Sequence, residues 1–369
     1  MLYTGFEKPL YGSVIQNESG KMQVVKIGGS ILKNKEDLLL IKQKLMDCHS
    51  CIIVTSALKN VTNMLINAYE TKNTGIIDNI YNMHINTINV NPETAKILMK
   101  YRDKLRDLVL REHSLSLRDN IISYGERMAT VLLYNFFKDN GFNASYIIDP
   151  LLVTDDVFSN SNCIMDKTAK KIMNTVLGDF TIVPGFYGAT EDGQITTVGR
   201  GGSDYTAMVF ASVLNCDVRI ITDVPGIMTS DPRVFENSRT LPEVSMSEVL
   251  KMSHFGVKNF NYKTFVPVLG MDINITVESL YEEGITRITK KPVNSVKCVA
   301  LTGYGNDSGK NMLVFIGHGL SDPDISGNII SAIGQEHLYH MDGLSLSLLV
   351  DDDLINNKRC FQEAPLWIK

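Results

Sequence analysis

Several short clusters in this sequence carry residues suited to chemistry on a phosphate. Lys26-Ile27-Gly28-Gly29-Ser30 closes an apolar run, which places a lysine and a glycine pair at the carboxyl end of a strand. Such a turn lets a polyphosphate approach backbone N–H groups, and the ammonium neutralises charge on a transferring phosphoryl group. A plain glycine turn looks the same, and the pattern is neither G-x-G-x-x-G nor a Walker A sequence. Gly199-Arg200-Gly201-Gly202-Ser203-Asp204 is more specific. Ser203 or Asp204 alone could cap the helix that follows, but a cap needs neither an arginine nor three glycines. This reads as a ligand loop with a fixed cation, a hydroxyl and a carboxylate.

Thr222-Asp223-Val224-Pro225-Gly226-Ile227 follows another apolar run and leads to Asp231-Pro232-Arg233. Turns at the carboxyl ends of strands are where open α/β sheets bind ligands. The proline and glycine explain the turns, but not the Asp and Arg that flank them. Gly125-Glu126 interrupts a helical stretch, where the glutamate faces either a cleft or solvent. Phe255-Gly256-Val257-Lys258 sets a lysine after a helix end, within reach of a phosphate or simply beyond a C-cap glycine.

The elements that must hold these clusters are legible as alternating patterns. The β-branched runs at 23–27, 51–55, 144–148, 180–184, 218–222 and 273–277 predict buried strands. Helix-length segments lie between them at 36–46, 61–70, 121–138, 166–177 and 205–214. Near-continuous apolar strands alternating with helices predict an α/β fold, a mostly parallel central sheet covered by helices on both faces. Residues 76–118 read as a helical insertion. Beyond about 288 the pattern changes to strand, helix and strand (296–301, 312–316, 324–333, 344–350), a small C-terminal α+β module.

Bulk properties narrow the function classes. A chain of 369 residues with 44% apolar and 21% charged residues is ordinary for a globular protein, with two domains as the natural reading. A net charge of −5 gives no sign of nucleic-acid binding. No apolar run is long enough to span a membrane, and residues 1–20 read as an extension rather than a secretory signal. Six scattered cysteines suit a reducing cytoplasm. Cys48 and Cys51 form one C-x-x-C pair, read as two buried thiols at the start of a strand ahead of redox or metal chemistry.

Taken in order, these clusters resemble the aspartate kinases of the amino-acid kinase superfamily. That family shows K-F-G-G-T-S, a V-S-A…V-T-N segment, R-G-E, L-G-R-G-G-S-D, T-D-V-P-G-I-Y with D-P-R, and F-G-A-K. The matches here are Lys26–Ser30, Ser56-Ala57…Val61-Thr62-Asn63, Gly125-Glu126, Gly199–Asp204, Thr222–Ile227 with Asp231–Arg233, and Phe255–Lys258. The resemblance covers roughly residues 21–288. It implies a catalytic domain over 21–288 and a regulatory or dimerising domain of ACT type over 289–369, enough for a single such module.

The roles that follow are those the resemblance implies. Lys26, Gly28, Gly29 and Ser30 would hold the γ-phosphate, with Lys26 and Asp204 catalytic. Ser56, Thr62, Glu126, Arg200, Gly201, Ser203 and Asp204 would form the aspartate pocket, Glu126 taking the ammonium and Arg200 a carboxylate. Thr222, Asp223, Met228, Arg233 and Lys258 would serve ATP, with Mg²⁺ on its phosphates. The product would be 4-phospho-L-aspartate, on the way to lysine, threonine and methionine. The expected partners are aspartate, ATP and a second copy of the chain through the tail, with no nucleic acid or membrane.

Met228 stands where the family has tyrosine, and Ile31 where it has a second hydroxyl. Leu58-Lys59-Asn60 occupies a stretch that usually contains glycine, and Asn261-Tyr262 replaces His-Pro. The alternatives are another kinase of the same fold, acting on acetylglutamate, glutamate, carbamate or a nucleotide, and a catalytically silent amino-acid-binding regulator.

Overall fold

The β-branched runs become strands, and glycine-containing turns at their carboxyl ends lead on towards the site. The computed structural model describes residues 22–235, 237–255, 261–304 and 310–351. The described residues up to Arg219, with Pro267–Ile273, pack as one compact unit; Ile220–Val266 with the residues from Asn274 onward pack as another.

In the first unit β1 (Gln23–Ile27), β2 (Cys51–Thr55), β3 (Ala144–Tyr146) and β4 (Phe180–Pro184) lie in the order β3-β4-β2-β1, all parallel. Every residue of β2 and β4 is buried. Successive side chains point to opposite faces, so both faces of these strands are covered. Helices α1 (Lys35–Lys44), α2 (Val61–Thr71), α3 (Thr74–Thr87), α4 (Pro92–Val109), α5 (Leu115–Asp139), α6 (Met165–Met173) and α7 (Gly202–Leu214) surround them. A short hairpin, β5 (Tyr187–Ala189) with β6 (Ile195–Thr197), completes the unit. The stretch expected as a helical insertion is α3 and α4, packed on α5. Asn34, Asn91 and Ser114 cap α1, α4 and α5 by accepting a first-turn N–H, each worth about 1 kcal/mol.

Strand β7 (Asp217–Thr222) begins in the first unit and ends in the second. There β8 (Glu243–Ser245), β9 (Ile275–Ser279) and β10 (Ile285–Thr289) follow, β10 antiparallel to β9 and parallel to β8. Helix α8 (Met246–His254) opens with a reciprocal cap: Ser245 Oγ accepts from Glu248 N at 3.2 Å, and Ser245 N donates to Glu248 Oε2 at 2.7 Å. A one-turn helix, α9 (Tyr262–Phe265), follows Asn261, whose side chain caps it. The tail is an antiparallel sheet of β11 (Cys298–Tyr304), β12 (Lys310–Ile316), β13 (Leu338–Met341) and β14 (Ser345–Asp351), in the order β11-β12-β14-β13, with α10 (Pro323–Ile333) between β12 and β13 in sequence. Its core includes Phe315, Ile329, Leu346 and Leu348, and it also takes in Phe235 from just after the Asp231-Pro232-Arg233 segment. Val299 N donates to Thr229 O at 2.9 Å, and Lys251 pairs with Asp342 at 2.6 Å. The residues from Asn274 onward thus pack in one unit with Ile220–Val266. Among the described residues no helix is long and apolar enough to cross a membrane.

Candidate active site

Strand β1 delivers Lys26 and the N-terminus of α7 delivers Asp204. Lys26 Nζ lies 2.7 Å from Asp204 Oδ1, with the two side chains 11% and 12% exposed. Either charge alone would be costly at that depth; as a pair each offsets the other's lost hydration. The first turn of a helix also favours a carboxylate.

Around this pair lies a cavity of about 400 Å³. Ser56, Thr62, Glu126, Arg200, Gly201 and Ser203 line it with Lys26, Gly29, Ser30 and Asp204. The first unit thus gathers every expected substrate-binding residue into one cavity. Gly28 lies outside the lining and carries the turn: its carbonyl accepts from Ile31 N at 3.2 Å, which starts a single 3₁₀ turn ahead of α1. Neither of this glycine pair needs a left-handed backbone. Gly29 is required for closeness instead, since a Cβ there would stand 2.5 Å from the Ala57 carbonyl. The loop before α7 does use left-handed geometry, with φ of 82° at Gly199 and 76° at Gly201.

Glu126 is buried in the middle of α5 at 3% exposure. Its Oε1 accepts from the backbone N of Ala57 at 3.1 Å, while Oε2 has no hydrogen-bond partner. Burial pushes its carboxyl up to about 8, against a smaller lowering by the Ala57 N–H. Gly125 makes this approach possible, because a Cβ there would sit 2.8 Å from the Ala57 Cβ. The glycine inside the helix is a packing requirement.

The structure adds residues that the motifs did not name. Phe186 lines the cavity at φ 72°, a strained setting for a bulky side chain. Tyr187 N donates to Gly185 O at 2.9 Å across it, which makes a tight three-residue turn. Its surroundings hold it: Phe186 N donates to Thr206 Oγ1 at 3.1 Å, and its carbonyl accepts from Val198 N at 2.9 Å. Asn60 also lines the cavity, at φ 70°, a left-handed position that asparagine tolerates. Asp119, fully buried, accepts from Ser159 N and Thr197 N at 2.7 Å each. That braces the loop on which Gly199 rests against Asn160. The only signal in the sequence was Gly185-Phe186-Tyr187-Gly188, glycines flanking aromatics after a strand.

Thr222, Asp223, Met228 and Arg233, expected to serve the nucleotide, lie in the second unit. Thr222 Oγ1 donates to Asp223 Oδ1 at 3.2 Å, and Met228 forms an isolated bridge with Thr240. Arg233 is exposed and doubly bonded to the Asp231 carboxylate, at 3.0 and 2.5 Å. Lys258 lies outside the described residues. Ile31, in place of a hydroxyl, is fully buried core.

Parallel strands thus carry, at their carboxyl ends, a glycine-lined cavity that holds a lysine–aspartate pair. The family model of the amino acid kinase family matches residues 21–279, and the chain belongs to that family. Lysine-sensitive aspartokinase 3 of Escherichia coli is 30% identical over 251 residues, 64% of this chain and 56% of its own length. Aspartokinase 1 of Bacillus subtilis is 33% identical over 167 residues, 44% of this chain and 41% of its own. The chain thus spans about half the length of these curated relatives. The crystal structure of E. coli aspartokinase III in complex with aspartate and ADP superposes with a TM-score of 0.80 at 20% identity, covering 93% of this chain and 99% of that one. The aspartate kinase of Clostridium acetobutylicum gives 0.74 at 17%, covering 94% and 100%. At those identities the fold is what is shared.

Proposed function

We propose that this protein transfers the γ-phosphoryl group of ATP to the side-chain carboxylate of L-aspartate, giving 4-phospho-L-aspartate. The observation that carries this is Glu126: a buried carboxylate with one oxygen unpartnered, lining the same cavity as Lys26 and Arg200. A free amino acid offers an ammonium for Glu126 and carboxylates for the cations. An N-acetylated substrate has no ammonium and would leave Glu126 without a partner, which argues against an acetylglutamate kinase. The similar proteins, aspartokinases with one bound to aspartate and ADP, support the same reading.

The substrate carboxylate is already anionic at neutral pH, so no general base is required. Its oxygen attacks the γ-phosphorus as the bond to the β-bridging oxygen breaks, and ADP leaves. Catalysis is then positioning and charge stabilisation. Lys26 would meet charge on the transferring group, released from or shared with Asp204. The N–H groups of the Gly28–Ser30 turn would face the phosphates. Ser56, Thr62, Gly201 and Ser203 would orient aspartate, with Arg200 on its carboxylate. Thr222, Asp223, Met228, Arg233 and Lys258 are assigned to the nucleotide. Among the described residues no group of three or more His, Cys, Asp or Glu could hold a metal ion. Mg²⁺ fits as an ion carried on ATP's own phosphates, where it supplies charge neutralisation. Through the tail, taken as a module of ACT type, the protein would pair with a second copy.

The test is ADP release over a panel of amino acids, with hydroxylamine trapping of the acyl phosphate. Aspartate hydroxamate is expected. Turnover of glutamate or acetylglutamate in its place would reject the substrate assignment.

A further inference from the structure

We propose that Cys48 and Cys51 form a peroxide-responsive dithiol, with Cys48 as the attacking sulfur and Cys51 as the one that closes the disulfide. The pair lies outside the cavity described above. Cys48 ends the turn after α1, its N–H donating to Leu45 O at 3.1 Å, and Cys51 opens β2. Both side chains are buried.

What separates this pair from two packed thiols is the set of donors around one sulfur. Gln23 Nε2 lies 2.9 Å from Cys48 Sγ and Arg219 Nη1 lies 3.4 Å from it. Two donors therefore converge on Cys48. A thiolate accepts from several donors at once, and a neighbouring guanidinium is the setting in which cysteines become nucleophilic. The opposing group is Asp47, whose Oδ1 is 3.9 Å from the same sulfur. Arg219 Nη1 is also 3.4 Å from that oxygen, so one guanidinium serves both anions. The neighbouring Cys51 thiol, helped by Arg219, holds Cys48 below the ordinary thiol range in spite of burial and Asp47. The Cys48 thiol and burial push Cys51 well above it. One sulfur is set up as the nucleophile and the other keeps its proton until it is needed. Among the described residues no third ligand joins the pair to make a metal site. Cys48 is 5% exposed beneath a largely exposed Asp47, within reach of a molecule as small as peroxide.

The chemistry balances with hydrogen peroxide as the oxidant. Cys48 sulfur attacks one peroxide oxygen, the O–O bond breaks, and hydroxide leaves to take up a proton as water. Cys48 is then a sulfenic acid, oxidised by two electrons. Cys51 sulfur attacks Cys48 sulfur, the S–OH bond breaks, and hydroxide leaves with the Cys51 proton as a second water.

The experiment is peptide mapping of the full chain after mild peroxide treatment and alkylation. A linked Cys48–Cys51 peptide lighter by two hydrogens, restored by a reducing agent, is expected. Cys51→Ser should hold Cys48 as a sulfenic acid that dimedone traps, and Arg219→Met should slow that trapping. Both cysteines remaining alkylatable after peroxide would overturn the proposal without recourse to any variant. So would zinc retained by the wild type and lost in Cys48→Ser, which would make the pair a metal site.

Discussion

At Glu126 burial and ligand chemistry pull in opposite directions. With its carboxyl raised to about 8, the ligand-free protein at neutral pH carries mostly the neutral acid, whereas an ammonium needs the carboxylate. The KM for aspartate should therefore fall about tenfold for each unit of rising pH below that value and level off above it, while the KM for ATP stays flat. Steady-state kinetics across the range check this, and a flat aspartate profile would remove Glu126 from substrate binding. Stability follows the same titration. The folded-state pKa lies above the ordinary 4.5, so the group's stabilising contribution is complete below 4.5 and is lost as pH rises through about 8. Glu126→Gln should lose aspartate binding yet melt higher than wild type in alkaline buffer. Lys26 makes a different trade. Lys26→Ala should lower kcat by about 10²–10³. It should also cost about 3–5 kcal/mol of stability, because it strands the nearly buried Asp204 carboxylate. Lys26→Met with Asp204→Asn should regain the melting temperature and none of the rate. Recovery of the rate would assign the lysine to structure alone.

The elements were legible where local pattern decides them. The runs at 23–27, 51–55 and 180–184 became strands with the expected bounds because β-branched residues suit strands buried on both faces. β13 escaped notice because all four of its residues are exposed, which leaves no apolar alternation to read. The Gly199–Asp204 loop declared itself through composition. The Phe186 turn and the Asp119 brace could not, since each depends on partners some 12 to 78 residues away. The division near residue 220 was hidden for a similar reason: Phe235 joins the tail's core across more than 60 positions. Gly125 shows how packing can reverse a local rule. Glycine to alanine inside a helix normally stabilises by about 1 kcal/mol. Here the added methyl would meet Ala57 Cβ at 2.8 Å, and overpacking of that kind costs about 1–3 kcal/mol. Gly125→Ala should therefore lower the melting temperature and raise the aspartate KM by displacing the Ala57 N–H from Glu126. A higher melting temperature with unchanged KM would show that the site tolerates the methyl.

For the whole molecule, the tail cannot be treated as an appendage. Ending the chain near 288 would bare Phe235, which belongs to the same apolar core as Phe315 and Leu346. Pairing of two copies is better probed on the surface. Leu338, Tyr339 and Met341 on the edge strand β13 are 39%, 51% and 43% exposed. Tyr339→Asp with Met341→Asp should halve the mass in solution and leave the chemical step unchanged; an unaltered mass would place any pairing elsewhere. The central claim concerns what enters the cavity of the first unit. The most direct measurement is hydroxamate formation by the purified full chain with ATP, Mg²⁺ and hydroxylamine, comparing L-aspartate with N-acetyl-L-glutamate and L-glutamate. Aspartate hydroxamate with matching ADP release is expected, abolished by Glu126→Gln and Lys26→Ala. Hydroxamate from the acetylated or longer acid, with none from aspartate, would contradict it.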